Sequence, residues 1–83
     1  MDAEPAPIPG DRPRVRPRHA AIWIRVEGAW RAGTIQDWYR DGGAWAVWVR
    51  HERPDGEPWP HFAGYRYDPV TVLRREPGES APG

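Results

Sequence analysis

Apolar residues alternate with polar ones through the middle of this chain and are scarce at both ends. In AAIWIRV (20–26), Ile22, Ile24 and Val26 fall on one side and Trp23 and Arg25 on the other. That two-residue period is the mark of a half-buried strand. Glu27-Gly28-Ala29 comes next as a turn, and WRAGTIQDWY (30–39) reads as a second strand. Gly33 inside that pattern predicts a bulge or the close approach of another backbone. Arg40-Asp41-Gly42-Gly43 is a hairpin signal, because adjacent glycines supply positive φ at little steric cost. AWAVWVRHE (44–52) is a third strand, with Trp45, Val47 and Val49 facing one way and Ala46, Trp48 and Arg50 the other. Pro54-Asp55-Gly56-Glu57 reads as the next turn. WPHFAGYRY (59–67) is a fourth strand whose Pro60 places its start at an edge or bulge. Asp68-Pro69-Val70 is a tight or 3₁₀ turn, and TVLRR (71–75) a short fifth strand. No segment keeps a 3.6-residue apolar period, so the expectation is all-β: five short strands in a small barrel or half-open sandwich.

The ends change the domain boundaries. Residues 1–18 carry six of the prolines and glycines, with Ile8 and Val15 as the sizeable apolar residues, and 76–83 read EPGESAPG. Such segments bury too little apolar surface to offset their ordering entropy. The chain therefore divides into a disordered Pro/Arg-rich arm (1–18), a folded domain (19–75) and a disordered tail (76–83). Domains this small bury only about 60% of their unfolded surface. With no cysteine, neither a disulfide nor a thiolate metal site reinforces this one. A rich core is the remaining route, and six Trp, three Tyr and one Phe supply it. Each aromatic buries about 150–250 Å².

Alternation places Ile22, Ile24, Val26, Ile35, Val47, Val49 and Leu73 in the interior, with Trp45 beside them. Trp23 and Trp48 then point outward on neighbouring strands, and Trp38, Trp59 and Phe62 extend that surface. An apolar patch of this size marks an interaction site, unless an arm or the fourth-strand segment folds over it.

The strings G-A-W-R-A-G-T-I (28–35) and G-A-W-A-V-W-V (43–49), with a short last strand after them, resemble the SH3-like barrels of the Tudor and KOW type. Trp30, Gly33 and Ile35 match the aromatic, small and aliphatic spacing of the second strand in those barrels. Y-D-P-V-T-V-L-R (67–74) is similar to their 3₁₀ turn and last strand. The chain also resembles small Trp-rich proteins of actinobacteria. The resemblance implies a five-stranded SH3-like β-barrel and a binding module, and it names no ligand. Tudor readers draw an aromatic from the first loop, which here is Glu27-Gly28-Ala29. KOW modules use basic loops, where this chain places Glu27, Asp41, Asp55 and Glu57.

The expected function is a non-catalytic interaction module that binds a protein partner, a second copy of the chain included. Trp23, Trp48, Trp38, Trp59 and Phe62 carry the contact, with Arg25 and Arg50 at its rim, since Trp, Tyr and Arg dominate interface energetics. The alternative is a nucleic-acid-binding domain that stacks bases on the same aromatics and contacts phosphate through Arg12, Arg14, Arg16 and Arg18 in RPRVRPR (12–18). Zero net charge favours a protein. All twelve basic residues are Arg, as a high-GC genome would also encode.

No cofactor, metal or small-molecule substrate is expected. His51 and His61 flank one hairpin and are candidate cross-strand neighbours, with Glu52 beside them, but His19, His51 and His61 lack the usual metal-ligand spacing. Ser80 lies in the tail, Thr34 and Thr71 lack an evident base, and no phosphate-binding glycine motif appears. A domain of this length also predicts little concave space for a pocket of roughly 300 Å³ or more. MDAEPAPIPGD has neither the basic nor the apolar region of a secretory signal, and no apolar run approaches the roughly 20 residues of a membrane span. A cytoplasmic protein without membrane contact is expected.

Overall fold

Two tight turns set the register of the central strands. Glu27 and Gly28 both take positive φ (49° and 76°), as a two-residue type I′ hairpin requires, so Val26 pairs with Ala29 across the turn. Gly42 alone takes positive φ (63°) in the two-residue turn between Asp41 and Ala44. The computed structural model describes residues 1–7, 14–15 and 20–82. Its strands are β1 (Arg14–Val15), β2 (Ala20–Val26), β3 (Ala29–Asp41), β4 (Ala44–His51), β5 (His61–Arg66) and β6 (Val72–Arg74).

All strand pairs are antiparallel and belong to one sheet, in the order β5-β4-β3-β2-β6, with β1 beside β3. There is no helix among the described residues. β5 and β6, at the two ends of that order, do not pair with each other. The five longer strands lie where alternation put them. β1 could not be inferred from the sequence, because two residues carry no readable period.

The sheet bends inside β3. The register against β4 shifts between Ile35 and Asp37, so Gln36 is the extra residue of a bulge. Gly33, the other bulge candidate, serves the close approach instead. A Cβ there would lie 2.7 Å from the Arg50 carbonyl oxygen and 2.9 Å from the His51 Cβ. Only a residue without a side chain lets β3 and β4 meet at this point.

The concave side of the bend holds the core: Ile22, Ile24, Ile35, Val47, Val49, Tyr65 and Val72, together with Ala3. Val26 is half-buried against it. One expected interior residue lies on the opposite face, and a second keeps the core face but sits at its margin. Leu73 pairs with Trp23 on the opposite side of the sheet and is half-buried, while Val72 is 4% exposed and takes the core position. Trp45 is also half-buried, edge-on to Trp38 at 6.0 Å, with the Arg40 guanidinium 5.1 Å over its ring.

Residues 2–6, read from composition as part of an unstructured arm, are hydrogen-bonded to β5 and to the end of β2. The Glu4 carbonyl accepts from Arg66 N–H (2.8 Å), and Ala6 N–H donates to Gly64 O (3.0 Å). Pro5 lies opposite Tyr65, where the bonds fall on its neighbours and its missing N–H leaves no gap. Ala3 N–H donates to Arg25 O on β2 at 2.7 Å. Composition missed this because backbone bonds and one small side chain do the holding.

Candidate functional site

Pairing of β4 with β5 builds an aromatic platform on the convex side of the sheet. Trp48 lies opposite Gly64, and Arg50 opposite Phe62. Phe62 lies two residues before Gly64 on the same face, diagonal to Trp48. Their rings stack at 6.3 Å with planes 25° apart. Phe62 is 47% exposed and Trp48 half-buried. Arg50, on β4, is exposed.

The β4–β5 connection brings Trp59 to the same end. Arg53 donates to both Asp55 carboxylate oxygens, with Nη2 to Oδ2 at 2.8 Å, and Glu57 N–H donates to Asp55 Oδ1. These bonds hold the Asp55 carboxyl at about 2, below its ordinary 3.8. The Pro54-Asp55 turn is thereby fixed, and Pro58 and Pro60 stiffen the chain beyond it. Trp59 is left 57% exposed. It lines an open cleft of about 430 Å³ together with Arg50, Arg53, Arg75, Glu57 and Thr34.

Four of the expected contact residues, Trp48, Trp59, Phe62 and Arg50, therefore share one end of the molecule. The other three do not join them. Trp23 does point to the convex side, but it is only 9% exposed, opposite Ala32 and Leu73, with the Arg75 guanidinium 5.6 Å from its ring. Arg75 is held there by the carbonyls of Ile22 and Gly33. Trp38 pairs with Val47 and packs against the core, 4.9 Å from the Tyr67 ring. The Gln36 bulge is the cause: an extra residue transfers every later side chain of β3 to the other face. Arg25 lies 5.6 Å from Trp30 and 3.8 Å from Asp2, away from the platform. Arg12, Arg16 and Arg18 lie outside the described residues. Arg14 is in β1, opposite Tyr39.

Below the cleft, His51 is 2% exposed and its two ring nitrogens are both engaged. The Glu52 carbonyl only accepts, so Nδ1 carries the proton and donates to it at 2.6 Å. Nε2 then accepts from the Tyr65 hydroxyl at 2.8 Å. Burial pushes the His51 pKa below 6.5; the Glu52 bond opposes this, and His61 and Arg31 add to it. Burial pushes the Tyr65 phenol above 10, with Glu27 adding to the shift. The expected neighbourhood of His51 and His61 is present: they pair directly, with rings 5.3 Å apart. Among the described residues no three His, Asp or Glu side chains gather closely enough to hold a metal ion.

A second open cleft, of about 450 Å³, is lined by His51, His61, Tyr65, Glu27, Arg53 and Asp55. Two such clefts correct the expectation of little concave space. They arise because the long β4–β5 connection stands off the sheet. Arg53 and Arg75 are site residues that strand alternation did not single out, since each lies at or beyond a strand end. No described helix is long and apolar enough to cross a membrane. Comparison with protein-family models, with curated proteins and with solved structures finds no match.

Proposed function

We propose that this chain is a non-catalytic interaction module of the SH3-like barrel type, which binds a protein partner through the platform and cleft at the β4–β5 end. The observation that carries this reading is the co-location of Trp48, Phe62, Trp59 and Arg50 on one exposed surface. Exposed aromatics next to Arg are the composition of interface hot spots. The strand order, with a short last strand returning to β2, supports the barrel type. Absence of catalysis is supported by His51, whose nitrogens are both occupied, and by Tyr65, whose phenol is pushed away from ionisation.

Charge favours a protein over nucleic acid. The cleft sets Arg50, Arg53 and Arg75 against Glu52 and Glu57, and Asp55 already holds Arg53. Little net positive charge remains to displace counterions from a phosphate backbone. One observation favours the second reading, a single-strand binder: the stacked Trp48–Phe62 pair beside Arg50 is also a base-stacking arrangement. Amide NMR titration with a mixed-sequence single-stranded oligonucleotide, at low and high salt, separates the two. The protein-partner reading expects no saturable shifts at Trp48, Arg50, Trp59 or Phe62. Saturable shifts there that vanish at high salt would replace it with the nucleic-acid reading.

A further inference from the structure

We propose that the outer edge of β5, with the end of β2, is a docking site for an extended segment of a partner protein, and that residues 2–6 occupy it in cis. This is independent of the aromatic platform. The seat is defined by backbone and by one small pocket. Arg66 N–H and Gly64 O supply ladder bonds on β5, and Arg25 O supplies a third acceptor on β2. Edge strands offer such unpaired groups to any incoming strand, and adding a strand to an open edge is a general mode of peptide recognition.

Side chains set the preference. Ala3 is 6% exposed within the core cluster, so the site takes a small apolar residue there. One residue earlier, the Asp2 carboxylate accepts from Gly28 N–H at 3.1 Å and faces Arg25 at 3.8 Å. Gly28 N–H is freed for this by the positive φ of its turn. Two residues after Ala3, Pro5 sits opposite Tyr65 in the position that needs no N–H. The matching segment therefore reads acid, small, any, Pro, small.

Among the described residues the cis segment is held by three backbone bonds, the contacts of the Asp2 carboxylate with Gly28 and Arg25, and one buried alanine. Tethering gives it a high effective concentration, which excludes weak competitors and an identical segment from a second copy. A partner segment therefore displaces it only by binding more tightly than the tethered one.

The test uses the labelled full chain and an unlabelled peptide, Met-Asp-Ala-Glu-Pro-Ala-Pro. Ala3→Arg expels the cis segment by bulk and charge, and Ala6→Pro removes the N–H given to Gly64 without touching the core. The wild-type chain should show no saturable shifts. Both variants should bind the peptide at least tenfold more tightly, with amide shifts at Gly28, Gly64 and Arg66. In the wild type, the amides of Ala6 and Arg66 should exchange with deuterium at least a hundredfold faster than those of Val47 and Val49. The proposal is overturned if folded variants bind no better than wild type. It is equally overturned if both variants unfold, or if those two amides exchange only with the core, because a segment the sheet requires cannot be exchanged.

Discussion

His51 and Tyr65 share one buried hydrogen bond, 2.8 Å from Oη to Nε2, between neighbouring strands and four pair positions apart along them. Both residues lie on the core face, where their rings come within 5.6 Å of each other. Tyr65→Phe keeps the ring and removes the donor, leaving Nε2 unsatisfied in a site 2% exposed. The loss should be about 1–3 kcal/mol, the usual penalty for an orphaned buried acceptor. Urea denaturation of the two chains measures it, and an unchanged midpoint would contradict the assigned bond.

The same imidazole gives the fold an acid limit. Folded His51 binds its proton less readily than the unfolded chain does at 6.5. Below 6.5 the unfolded state takes up more protons, so acid drives unfolding. The contribution is complete above 6.5 and is lost as pH falls through the lower folded value. Urea midpoints measured downward from neutral pH should decline, and His51→Gln should flatten the decline.

Gly33→Ala should destabilise by about 1–3 kcal/mol, the range for overpacking. The new Cβ meets backbone at 2.7 Å, and a carbonyl cannot move aside as a side chain can. Gly43→Ala is the control, since nothing lies within 4 Å of a Cβ there. Equal thermal midpoints for the two variants would contradict the close approach of β3 and β4.

The tryptophans should separate by role. Trp23→Ala removes a ring that is 9% exposed and should cost about 3–5 kcal/mol. Trp59→Ala removes one that is 57% exposed and should leave the unfolding midpoint in place. Iodide should quench Trp59 emission and spare Trp23.

Much of the fold is legible in the sequence because its strands are regular. Ile22 and Ile24, and Val47 and Val49, keep strict alternation, and the three connections from β2 to β5 each carry a glycine. The misassigned residues share a physical origin: alternation fixes a face only while the period holds. Gln36 interrupts it, and Trp38 moves to the core side. Val72–Arg74 is too short to set a phase, so Leu73 and Val72 exchanged roles. Trp23 points where alternation put it, yet Arg75 covers it, and a cover from beyond a strand end leaves no periodic trace. Of the candidate site, Trp48, Arg50, Trp59 and Phe62 were visible; the clefts were not, because they depend on how the 53–60 connection stands off the sheet.

The most direct test of the proposed binding surface is a paired affinity capture. The wild-type chain and a Trp59→Ala/Phe62→Ala variant are immobilised and exposed to nuclease-treated lysate of the source cells at low and high salt. The account predicts a protein retained by the wild type at both salts and lost by the variant, with both baits equally folded. Identical retention on the two baits, or capture of nucleic acid alone that salt releases, would contradict it.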